Sequence, residues 1–78
     1  MLILGVDIAK LNHVASLVDS NSNEIIFSNF KFQNNFNGFS SLKLELEKFN
    51  IDEVFILLES TGHYGENFTA FFHNLGFK

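Results

Sequence analysis

The chain contains no cysteine, no proline and no tryptophan. Without cysteine, neither a disulfide framework nor a thiolate metal site can hold the fold, a composition that suits a reducing compartment, and a cytoplasmic protein is expected. Basic residues are scarce: five Lys and Arg stand against nine Asp and Glu, a net charge of −4. That balance argues against a domain that grips nucleic acid through a basic surface of its own. No apolar run approaches the ~20 residues of a membrane span. The opening MLILGVDIAK has neither a basic start nor a small-residue cleavage site, so no signal peptide is expected.

Phenylalanine is abundant instead, with 11 residues against a single tyrosine. Phe has no polar handle, so these rings are expected in a core rather than as a platform for stacked bases. The 78 residues suffice for one small domain. Such a chain buries only about 60% of its unfolded surface, so its stability is expected to be marginal.

Periodicity orders the chain. Leu2 to Ala9 is an almost continuous apolar run, as in a strand covered on both faces. Lys10-Leu11-Asn12 makes a tight connection into a second strand, His13 to Asp19. The polar turn Ser20 to Asn23 leads to a third, Glu24 to Gln33. Strict alternation in the third would put Ile26, Ser28, Phe30 and Phe32 on one side and Ile25, Phe27, Asn29 and Lys31 on the other. Short turns imply an antiparallel meander. The period then changes. Phe39, Leu42, Leu46 and Phe49 recur at helical spacing, with Asn35 or Asn37 as cap. A fourth strand, Glu53 to Glu59, follows; reached through a helix, it should lie parallel to its neighbour. Phe68, Phe71, Phe72 and Leu75 form a second helical stripe, closed by Gly76 as a C′ glycine and Phe77 as its apolar contact. The expected fold is α/β, in the order β-β-β-α-β-α, with three antiparallel strands and a fourth parallel to the first.

Two acids stand out against this pattern. Asp7 interrupts the first strand and Glu59 closes the fourth. Alternation puts Ile3, Gly5, Asp7 and Ala9 on one face, and the small Gly5 and Ala9 leave space over the carboxylate. If strand four lies beside strand one, Glu59 comes near the level of Asp7. Two carboxylates on neighbouring strands form half of a divalent metal site, because hard cations prefer oxygen ligands. Each acid taken alone is equally well a solvated side chain at the edge of a sheet, and the residues by themselves leave both readings open. His13 and His73 lack the spacing of a metal pair and are expected to be structural or surface residues.

GVDIAK with Asp7, and ESTGHY with Glu59, followed by an apolar helix and LGF, resemble the start of DEDD-type transposases. These insertion-element recombinases have an RNase H-like domain similar to Holliday-junction resolvases. The resemblance covers essentially the whole chain. It implies that residues 1–78 are the N-terminal portion of a single RNase H-like catalytic domain, truncated after its second helix. Asp7 and Glu59 would be the first two acids of the catalytic tetrad, holding Mg²⁺ or Mn²⁺ for DNA cleavage and joining. The two further Asp residues, and a second domain with a nucleophilic serine, would lie downstream. The fragment alone would then cut nothing.

Lys10, Thr61, His63 and Tyr64 would be candidate nucleic-acid contacts, while Ser60 and Thr61 would cap the following helix, with Gly62 allowing the turn. DNA would be the partner of the full-length protein, held mainly by segments outside this one, and a guide RNA is a further partner that the reading admits. An unpaired, apolar fourth strand predicts a homo-oligomer, through edge pairing or exchange of the last helix.

Two other classes share features of the pattern. Actin-like ATPases and sugar kinases open with the same element order, but the hairpin Asp7-Ile8-Ala9-Lys10-Leu11-Asn12 lacks the glycine and hydroxyl donors of a phosphate-cradling turn. A non-catalytic remnant or interaction module would have the same length. An in-frame continuation with two further aspartates separates enzyme from remnant, and calorimetric nucleotide binding would favour the kinase class.

Overall fold

Apolar alternation and two helical stripes become a four-stranded sheet with two helices in the computed structural model, which describes residues 1–59 and 64–77. The elements run β1 (Leu2–Asp7), β2 (Asn12–Asp19), β3 (Glu24–Gln33), α1 (Phe36–Leu46), a short 3-10 turn (Ile51–Glu53), β4 (Val54–Glu59) and α2 (Glu66–Asn74). The sheet order is β3-β2-β1-β4. β1, β2 and β3 pair antiparallel, and β4 lies parallel to β1, so the α/β order and the strand directions are those expected.

One face of the sheet is dry. Leu2, Leu4 and Val6 of β1, with Ile8 just beyond it, are buried on that side, as are Ala15 and Leu17 of β2 and Phe32 of β3. Phe39, Leu42 and Leu46 from α1, and Phe68 and Phe72 from α2, complete the same core. Aromatic rings knit the two helices together: Phe39 lies 5.4 Å from Phe71 and 5.8 Å from Phe68, centroid to centroid. Most of the phenylalanines are therefore core material here, as their lack of a polar handle implies, while Phe36 and Phe55 are exposed.

Three local devices set this arrangement. Asn35 caps α1, its side-chain oxygen accepting from the Gly38 N–H at 2.8 Å. Gly38 is required there, because a Cβ would run into the Gln33 carbonyl at the end of β3. α2 closes with a Schellman motif: the Phe77 N–H donates to the Phe72 carbonyl at 3.1 Å and the Gly76 N–H to the His73 carbonyl at 2.9 Å. Gly76 takes φ 98°. The Phe77 ring then packs 5.5 Å from that of Phe72.

Strand β3 departs from strict alternation. Its register against β2 slips twice, between Ala15 and Leu17 and again between Leu17 and Val18. Asn29, between the first pair of partners, adopts φ 56°. Asparagine tolerates this left-handed conformation, and each extra residue of a bulge reverses which side the chain presents. Phe27 consequently pairs with core-facing Leu17 and joins Phe30 and Phe32 against the core, rather than sharing a side with Ile25 and Lys31. β1 also ends earlier than its apolar run suggests, at Asp7 rather than Ala9. Ile8 stays bonded to β4, its N–H donating to the Glu59 carbonyl at 3.1 Å.

Candidate functional site

The other face of the sheet carries the two acids. β1 and β4 run in register from Leu2 opposite Val54 to Asp7 opposite Glu59. Partners in a parallel ladder project to the same side, on strands about 4.8 Å apart. Asp7 and Glu59 therefore share one face at the C-terminal ends of neighbouring strands, and both are exposed. The Ile8–Glu59 backbone bond lies immediately beyond the pair and fixes the two ends at the same level.

Small, polar and apolar residues together surround the acids. A Cβ built on Gly5 meets nothing within 4 Å, so the space below Asp7 is open. Across β2, Val14 lies opposite Asp7 and Ser16 opposite Gly5. The Ser16 hydroxyl accepts from the Asn29 N–H at 3.4 Å, which ties the bulge of β3 to this face. Together with Val6, Leu57 and the two acids, these residues line a shallow hollow of ≈ 560 Å³.

Two exposed carboxylates beside open space suit a hard divalent cation, which takes oxygen ligands and retains waters. They supply only part of a ligand set. Among the described residues no group of three or more His, Cys, Asp or Glu side chains is placed to hold a metal ion.

The candidate nucleic-acid contacts divide. Lys10 and Tyr64 are exposed, and one side chain holds their backbones together: Nδ2 of Asn34 donates to the Lys10 carbonyl at 3.1 Å and to the Tyr64 carbonyl at 3.2 Å. Thr61 and His63 lie outside the described residues, as do Ser60 and Gly62. The cap position of α2 falls on Gly65, which makes no side-chain cap bond, so the helix begins later than a cap at Ser60 or Thr61 implies.

Asn34, between strand and helix, makes contacts that no sequence motif marks. His13 is expected to be a structural or surface residue. His13 is wholly buried, with its ring 5.4 Å from Phe32, 5.9 Å from Phe68 and parallel to Phe39 at 6.3 Å. Its Nδ1 accepts from the Ala9 N–H at 3.1 Å. A histidine amid alternating apolar residues was the available signal. His73, on α2, is exposed. No described helix is long and apolar enough to cross a membrane.

A family model described as transposase, of the IS110-type DEDD class, matches residues 4–78. No curated protein matches the chain.

Proposed function

Since the chain belongs to the IS110-type DEDD transposase family over residues 4–78, we propose that it is the N-terminal portion of a transposase catalytic domain and that Asp7 and Glu59 are its first two metal-binding acids. The single observation that supports this reading is their register: two carboxylates distant in sequence stand side by side on one open face. When bound, Mg²⁺ or Mn²⁺ would supply activation of an attacking oxygen and neutralise charge on the leaving oxygen of a DNA phosphodiester.

The residues of this chain contribute position and space. Asp7 and Glu59 present oxygen ligands from adjoining strand ends, held at one level by the backbone bond from Ile8 to Glu59. Gly5 keeps the approach between them clear. Exposed Lys10, beyond β1, offers a charge toward a phosphate backbone, and Tyr64, with Thr61 and His63, belongs to the segment after Glu59. With a net charge of −4, the chain does not hold DNA by its own field, so basic segments elsewhere in the full-length protein grip the substrate. On this reading residues 1–78 cut nothing alone, since the remaining acids are missing from them.

The test is a Mn²⁺ titration of the 78-residue chain followed by paramagnetic broadening of backbone amide signals. Broadening centred on Asp7 and Glu59, abolished in Glu59→Gln, is the expected result. Broadening centred on Asp52, Glu53 or Glu45 of α1 instead, with no effect of the substitution, would refute the assignment.

A further inference from the structure

The chain turns away from β2 directly after Asp7, and a buried side chain holds it as it does so. Ala9, two residues past the acid, donates its N–H to Nδ1 of His13 at 3.1 Å. His13 itself precedes Val14, the residue opposite Asp7 in the ladder. Between Asp7 and Ala9, Ile8 donates to the Glu59 carbonyl at 3.1 Å. The three residues from Asp7 to Ala9 are thus fixed to β2, to β4 and to the His13 ring in turn.

Packing alone does not call for histidine at this position. The ring is enclosed by Phe32, Phe39 and Phe68, a site that an apolar side chain would fill without polar atoms. Because Nδ1 accepts, the neutral ring carries its proton on Nε2. That atom is buried and has no hydrogen-bond partner among the described residues. An unmet buried donor is destabilising, so the bond to Ala9 is the one polar function the imidazole performs among the described residues. Asn34 secures the following residues, with its side chain on the Lys10 carbonyl and its backbone N–H on the Leu11 carbonyl at 2.9 Å.

We propose that His13 is a positioning residue for the acid pair: by accepting from Ala9 it anchors the backbone immediately beyond Asp7, which keeps Asp7 level with Glu59. The inference rests on the reading of those acids as metal ligands, but its structural half is measurable without metal. Phe at position 13 retains the aromatic contacts and loses the acceptor. Asn places its side-chain oxygen near the position of Nδ1 and retains one.

The experiment uses the 78-residue chain with wild-type sequence, His13→Phe and His13→Asn. Metal-free amide exchange is measured at Ile8 and Ala9, with Leu17 as the reporter of global opening, and Mn²⁺ affinity is measured by paramagnetic broadening. In His13→Phe, exchange at Ala9 should accelerate about tenfold or more while Leu17 is unchanged. Mn²⁺ affinity should weaken by about 10-fold, the lower end for loss of a group that orients a ligand. His13→Asn should recover most of both. If His13→Phe leaves Ala9 protected, or accelerates Ala9 and Leu17 together, or binds Mn²⁺ as tightly as wild type, the proposal is overturned. If the wild-type chain has no Mn²⁺ site at the acids, the metal reading fails, and the exchange measurements alone decide the backbone role. Should His13→Phe not fold, His13→Leu removes the acceptor with less volume and is read in the same way.

Discussion

Replacing Asp7 by Asn should make the metal-free protein more stable and the metal-treated protein less so. In the ladder Asp7 stands opposite Glu59, so two like charges occupy neighbouring strands on one face. At a strand spacing of ~4.8 Å and the dielectric of water, two unit charges repel by ~0.9 kcal/mol. Exposed side chains splay apart and salt screens them, which brings the cost to about 0.5 kcal/mol, within the span of cross-strand pair effects. For a domain of this size 1 kcal/mol corresponds to about 4–8 °C, so Asp7→Asn should raise the melting temperature by ~2–4 °C in EDTA at low salt. The gain should shrink in high salt. A cation binding only the folded state reverses the order. At a concentration about 100-fold over its Kd it stabilises the wild-type chain by ~2.7 kcal/mol, which is on the order of 10 °C or more. Asp7→Asn should lose most of that rise. Calorimetry or circular dichroism melts with and without Mn²⁺ read both halves. A variant that melts lower than wild type in EDTA would show that the carboxylates do not repel, and one that keeps the full Mn²⁺ shift would show that they do not share an ion.

Three further outcomes follow from particular residues. Gly5→Val adds a side chain where nothing lies within 4 Å, so the melting temperature should change little; yet Mn²⁺ affinity should fall because the open space beside Asp7 is filled, as titration would show. Gly38→Ala forces a Cβ into the Gln33 carbonyl and should cost about 1–3 kcal/mol or more in urea unfolding; an unchanged midpoint would mean that α1 is not seated against the end of β3. Leu57, half exposed on the open face of the outermost strand β4, should favour self-association through that edge; Leu57→Lys should lower the association measured by sedimentation at high concentration, and equal association in both proteins would exclude this surface.

Local chemistry made much of this fold legible. The Asn35 cap, the Gly76–Phe77 ending and the period change between Gln33 and Phe39 are each decided within a few residues, so a linear reading finds them. The parallel relation of β1 and β4 also follows from the helix between them, and it placed the acids on adjacent strands. Their matching level is a different matter. The strand order gives it only approximately; residue for residue it rests on the register of the whole ladder, from Leu2–Val54 upward, which no short motif records. Phe27 was misplaced for the same reason. Its side is chosen by two bulges and by a left-handed Asn29, features of the pairing with β2 rather than of the β3 sequence. Asn34 escaped because its partners, Lys10 and Tyr64, stand 24 and 30 residues away along the chain, whereas His13, expected to be structural or surface, is a buried structural residue bonded only four residues back to Ala9.

The position of β4 has a thermodynamic corollary. It is an edge strand and joins the described sheet through β1 alone, so the seam that aligns the acids can open without breaking another strand pairing. Any ion bridging the two carboxylates would rivet that border, and by reciprocity whatever loosens the border must weaken the ion's hold to the same degree. Cohesion at the rim and cation affinity would then be two readings of a single equilibrium.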